Sequence, residues 1–169
     1  DVYKRQLVGD RGIFSTKIAF VLKGRRGKGI FMMDFDGSEM RRVTSGKYID
    51  LSPAWSPDGR SLAFVSIKNQ AVKTYLIDIF DSGKLKLFSA YQGVNSAPAW
   101  SPDGSCIAIV LTKDGNPEIY KKYLKGSRQL ERLTSNIATD TEPCWSPDGE
   151  KIAFVSDRSG SPQIYICLL

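Results

Sequence analysis

The stretch PAWSPDG at residues 53–59 returns as PAWSPDG at 98–104 and as PCWSPDG at 143–149, which sets Trp55, Trp100 and Trp145 at intervals of 45 residues with no insertion or deletion between them. A fixed period of this length marks a repeated structural module and falls in the range of propeller blades. The register reaches past the tryptophans. Twelve residues before each stands an apolar residue followed by a hydroxyl: Val43 and Thr44, Phe88 and Ser89, Leu133 and Thr134. Twenty residues after each stands Tyr75, Tyr120 or Tyr165. Apolar quartets at 62–65, 107–110 and 152–155 superpose as well, and a further copy at 18–21 lies upstream without its Trp.

Within each module, short runs rich in Val, Ile, Phe and Tyr alternate with Gly, Pro, Asp and Ser clusters, the pattern of strands and turns, and no segment carries helical periodicity. In SPDG the proline presets φ for the second position of a type I turn, Asp suits the third and Gly the fourth, so the motif predicts a tight hairpin. The quartet after it is apolar at every position, which requires cover on both faces, as for an interior strand of layered sheets. One unit then reads as a strand ending at Trp55, a second at 62–66, a third at 73–78 and a fourth at 85–89. Four antiparallel strands per repeat make a propeller blade. The fold class predicted is all-β, a propeller fragment of about three and a half blades and some fourteen strands, with units at 7–44, 50–89, 95–134 and 140–169. Such an arc does not close a ring by itself and leaves apolar faces at its ends. A sandwich or solenoid matches the strand density but not the identity of the units.

The chain has 169 residues, 41% hydrophobic and 25% charged, a globular composition with no apolar run long enough for a membrane helix. It lacks an initiator Met, and residues 1–6 read as non-native or disordered; the chain reads as a fragment. A net charge of +6 is spread along the sequence, densest at RRGK from Arg25, and no nucleic-acid-binding motif accompanies it, so no nucleic-acid partner is expected. Cys106, Cys144 and Cys167 are odd in number without CxxC spacing and read as structural thiols. With no His in the chain, neither a metal site of the usual kind nor a catalytic triad base is expected, and GxSxG does not occur. GRRGKG at 24–29 has the outline of a phosphate loop, but it lacks the GK[ST] ending and a following helix and reads as a hairpin loop. Neither a cofactor nor a catalytic residue is expected.

The segment WSPDGEKIAFVSDRSGSPQIY at 145–165, together with LVGDRGIFSTKIAFV at 7–21 and TEPCWSPDG at 141–149, resembles the TolB-like (WD40-like, PD40) propeller family of the Tol-Pal system. That resemblance implies a six-bladed parent preceded by an α/β domain, located in the periplasm and monomeric within a complex. It implies a non-enzymatic role, binding the peptidoglycan-associated lipoprotein and other Tol proteins in support of outer-membrane integrity, cell division and protein import. Because WSPDG repeats also occur in propellers of prolyl-oligopeptidase-type serine peptidases, a non-catalytic gating propeller of such an enzyme is the alternative.

Five residues before each Trp stands Asp50, Asn95 or Asp140, at the start of the first strand of its unit. These short polar side chains are candidates to rim a partner-binding face, or to cap their own turns through local hydrogen bonds. The resemblance adds the segments 94–97 and 141–142, so the candidate partner-binding residues are Asp50, Asn95, Ala97, Asp140, Thr141 and Glu142; Val94 stands where the family leads one to expect a His. The tryptophans are expected to pack blade against blade.

Overall fold

The computed structural model describes residues 16–25, 27–81, 83–126 and 130–169, and in these it contains fourteen strands and no helix. Residues 1–6 and the stretch 7–15 lie outside the described residues. The chain divides into two compact units, up to Leu51 and from Ser52 onward.

In the first unit, β1 (Lys17–Lys23) and β2 (Lys28–Asp34) form an antiparallel hairpin with Phe20 opposite Phe31, their rings 6.1 Å apart, and the two-residue β3 (Arg41–Arg42) lies on the free edge of β2. These are the second, third and fourth strands expected around the upstream quartet. A single parallel bridge joins Lys28 to Ile49, where β4 (Ile49–Trp55) begins.

The second unit carries three copies of one meander. Strands β5 (Ser61–Lys68), β6 (Ala71–Asp78) and β7 (Leu85–Ser89) follow β4; β8 (Asn95–Trp100), β9 (Cys106–Leu111), β10 (Glu118–Tyr123) and β11 (Leu130–Arg132) form the next sheet; β12 (Asp140–Trp145), β13 (Lys151–Ser156) and β14 (Gln163–Leu168) form the last. The expected strand boundaries agree within two residues. The largest difference is at β5 and β6, which extend to a two-residue hairpin through Asn69 and Gln70, both at positive φ (49° and 66°), a type I′ turn without its usual glycine.

SPDG builds the hairpin into the second strand by one bonding scheme in all three copies. Gly59 N donates to Ser56 O at 2.9 Å, the Ser56 hydroxyl donates to Asp58 Oδ1 at 2.5 Å and accepts from Ser61 N at 2.9 Å, and Arg60 N donates to the same carboxylate oxygen at 3.0 Å. Ser101 with Asp103 and Ser146 with Asp148 repeat it. The closing glycine adopts φ of 68°, 70° and 77° at Gly59, Gly104 and Gly149, which no side-chain-bearing residue accepts without strain.

Every residue of β9 is buried. Ile107, Ile109 and Leu111 face Ala63, Leu76 and Phe88 of the preceding sheet, while Ala108 and Val110 face Ile152 and Phe154 of the following one. That is the physical content of an apolar run without alternation. β13, with the same kind of sequence, is covered on one side and alternates between buried and partly exposed; beside it β14 exposes Ile164, Ile166 and Leu168 at 76%, 66% and 75%.

The tryptophans lie in the seams between sheets. Trp100 Nε1 donates to Ala54 O at 3.1 Å and Trp145 Nε1 to Ala99 O at 3.0 Å, each reaching back 46 residues to the carbonyl just before the previous tryptophan. The residue 46 positions before Trp55 is Gly9, outside the described residues, and the buried Trp55 Nε1 has no partner among those described.

The turn carboxylates yield a pH prediction. The Ser101 hydroxyl, then the Ser105 amide, bring the Asp103 carboxyl down to about 2, and the matching bonds lower Asp58 and Asp148. A carboxylate whose folded value lies below its unfolded value near 3.9 contributes stability above that pH and loses it as pH falls toward 2. In urea unfolding, the protein should therefore exceed Asp103→Asn in midpoint at pH 5, and the gap should shrink as pH falls through about 2; a gap independent of pH would show that the charge is not what the turn uses.

Candidate protein-interaction site

Strands β8 and β12 each begin at a polar residue, Asn95 and Asp140, and carry a bulge two residues later. Thr141 pairs with Val155 but Cys144 with Ala153, and Ser96 pairs with Val110 but Ala99 with Ala108, so two residues stand opposite one in each case. Ser52, Ala97 and Glu142 occupy this position at φ of 50°, 46° and 52°, again at 45-residue spacing. Each precedes a proline, which opposes helical conformations at the residue before it. Three non-glycine residues are thus held in left-handed backbone at a cost of about 1–2 kcal/mol each, a strain that must be imposed by their surroundings.

Two residues before each of these positions stands a buried polar residue, and at Asn95 and Asp140 it is firmly anchored. Asn95 is fully buried: its Oδ1 accepts from the Ser89 hydroxyl at 2.7 Å and Tyr91 N at 2.9 Å, and its Nδ2 donates to Tyr91 O, Gly93 O and, across to β6, Val72 O at 3.0 Å. Asp140 is also fully buried and takes both its carboxylate oxygens to Arg158 Nη2 at 3.0 and 2.8 Å. The Arg158 guanidinium is itself fixed by Ser156 Oγ at 2.8 Å and lies 4.7 Å from the centre of the Tyr165 ring. Asp50 is 3% exposed. Asp50, Asn95 and Asp140 therefore present almost no side-chain surface. Ala97 and Thr141 are half-buried and Glu142 is exposed, and Glu142 makes no hydrogen bond or ion pair among the described residues.

A second network, which the sequence reading did not single out, holds the approach to Thr141. Glu118 is 0% exposed, and its carboxylate accepts from Thr134 Oγ1 at 2.6 Å, Asn136 N at 2.7 Å, Arg132 Nη2 at 3.1 Å and Asn116 Nδ2 at 3.2 Å. Asn116 Nδ2 also donates to Asn136 O and Ala138 O. The loop that leads into β12 is thereby clamped on both flanks. Alongside, the Tyr120 hydroxyl donates to Asp114 at 2.5 Å, and burial, reinforced by that carboxylate, pushes the phenol up to about 12. Lys73 and Gln163 stand where the repeat places Glu118 in the neighbouring modules, so the signal was a break in the period, not the period itself.

Among the described residues no group of His, Cys, Asp and Glu is placed to hold a metal ion. The arrangement is a rigid polar edge that presents backbone bulges and a free carboxylate.

A family model for the TolB beta propeller domain matches residues 3–169. The chain belongs to the TolB beta propeller family. The Tol-Pal system protein TolB of Desulfosudis oleivorans is 42% identical over 71 residues, 42% of this chain and 16% of that relative. TolB from Acinetobacter baumannii superposes with a TM-score of 0.85 at 38% identity, over 98% of this chain and 42% of that one. The chain thus spans less than half the length of these two TolB proteins. A prolyl endopeptidase superposes with a TM-score of 0.65 at 16% identity over 94% of this chain and 27% of that one, which shows a shared propeller fold alone. The all-β propeller reading stands on these matches, and no helix among the described residues is long and apolar enough to cross a membrane.

Strain at the TolB-family bulge is testable. Ala97→Val adds a β-branched side chain in left-handed backbone and should destabilise the protein by about 2 kcal/mol, whereas Ala97→Gly should be neutral or slightly stabilising. Chemical denaturation reads both; equal losses would mean that packing and not backbone strain governs the position.

Proposed function

We propose that this chain is part of a non-enzymatic, periplasmic TolB-type scaffold that docks the peptidoglycan-associated lipoprotein and works with other Tol proteins in outer-membrane integrity, cell division and protein import. Family membership supports the reading. The observation that carries it is the left-handed backbone repeated at Ser52, Ala97 and Glu142, which at Ala97 and Glu142 lies in a bulge two residues after the anchored Asn95 and the Asp140–Arg158 pair. Strained, over-determined backbone at a surface edge is where proteins place recognition. In this reading Ala97, Thr141 and Glu142 touch the partner. Asp50, Asn95 and Asp140 act from beneath, as positioning residues.

A rigid edge suits a partner that must be bound without reorganisation, since pre-formed contacts avoid the ordering cost of association. The Val94 backbone is held too, with Val94 N donating to Thr112 Oγ1 at 2.9 Å.

The test is calorimetry of the purified chain against the soluble domain of a peptidoglycan-associated lipoprotein. Glu142→Lys, a change at an exposed site, should weaken binding by about tenfold or more, as reversal of a contact charge does, while Asp36→Lys, in the turn after β2, should not. Absence of binding by the unaltered chain, or identical affinity in Glu142→Lys, would overturn the proposal.

A further inference from the structure

In the first unit, the loop between β1 and β2 and the loop after β3 enclose an open cavity of about 520 Å³. Among the described residues its charged lining is cationic: Arg25, Arg42 and Lys47. Among the described residues none of the three has a carboxylate at ion-pair distance. The acids of this unit's described residues stand elsewhere. Asp34, Asp36 and Glu39 lie at the opposite end of the β1–β2 hairpin, where Asp34 pairs with Lys17, and Asp50 lies in β4.

Arg42 is the fixed element. Its Nη1 donates to Ser45 O at 3.0 Å, its guanidinium lies 5.0 Å from the centre of the Phe31 ring, and a Cβ on Gly46 would come within 3.3 Å of Nη1. A φ of 66° favours glycine at 46. At Gly27 an added Cβ would fall 2.3 Å from Tyr48 O, so the two loops meet backbone to backbone. The guanidinium is held in one orientation with donors to spare, the arrangement suited to paired hydrogen bonds with a tetrahedral oxyanion.

The repeat does not demand these charges. The same connection reads NQ at 69–70, TKDGNP at 112–117 and DRSGSP at 157–162 in the other modules, the last two carrying an acid. Three cations around one cavity repel one another, and a bound anion offsets that repulsion. A lone carboxylate would leave most of the charge unmatched and most of the space empty.

We propose that this cavity binds a phosphate-bearing ligand, held by Arg42 with Arg25 and Lys47. Unlike a phosphate loop it uses side chains, since no helix follows GRRGKG. Soluble diphosphates and phospholipid headgroups share this chemistry.

The test is titration calorimetry of the full chain with inorganic pyrophosphate, and flotation with vesicles of phosphatidylcholine with and without cardiolipin. Saturable one-to-one pyrophosphate binding, weakened about tenfold or more by Arg42→Gln and by Lys47→Gln but not by Lys17→Gln, supports a soluble ligand. Flotation dependent on cardiolipin and lost in the same two variants supports a lipid headgroup. Lys47 is exposed, so its variant keeps the test valid if Arg42→Gln fails to fold. Neither kind of binding, or binding that Lys17→Gln weakens as much as the other two, would overturn the proposal.

Discussion

A strand that is apolar on both faces cannot exist alone in water. β9 carries Cys106, Ile107, Ala108, Ile109, Val110 and Leu111, all buried, and burial of that kind is possible only if a second sheet covers one face and a third covers the other. At roughly 25 cal/mol for each Å² of apolar surface removed from water, the seams on its two sides are the main favourable term available to a chain of short strands. The indole bonds give those seams direction. Apolar contact tolerates sliding, whereas Trp100 to Ala54 O and Trp145 to Ala99 O each fix one sheet against the last at a single register.

That register has consequences at both ends of the sheets. At one end the SPDG turns stack in sequence, with the Pro57 ring 3.8 Å from where a Cβ on Gly104 would stand and Pro102 3.7 Å from the same point on Gly149. At the other end, Asn95 ties its own strand to β6 of the preceding sheet, and the bulge at Ala97 lies two residues beyond that anchor. Stability gained in the seams thus holds a strained edge that isolated strands would relax, which is how a repeat of packing becomes a repeat of surface.

Much of the fold was legible because it obeys the period. The 45-residue spacing, the Pro, Asp and Gly of the turns and the unbroken quartets each have one local physical meaning, and the strands fall where these signals put them. Other features were hidden because they depend on residues distant in sequence. Asn95 reads as a cap, and it does bond Tyr91 and Gly93 locally, but its bond to Val72 and its complete burial come from the neighbouring sheet. Positive φ at Ser52, Ala97 and Glu142 is invisible in residue types that normally avoid it. Glu118 was missed because its partners Arg132, Thr134 and Asn136 reach it from the following strand and loop. GRRGKG was legible as a loop, while its meeting with Arg42 and Lys47 required the folded hairpin.

The claim on which all of this rests is that adjacent modules are locked together through the tryptophan seam. Urea unfolding of Trp100→Phe tests it most directly, because an aromatic ring stays in the seam while the donor to Ala54 O is removed. Loss of a buried hydrogen bond with its acceptor left in place predicts about 1–2 kcal/mol of destabilisation in one cooperative transition. A variant whose midpoint coincides with that of the unaltered protein would contradict the account.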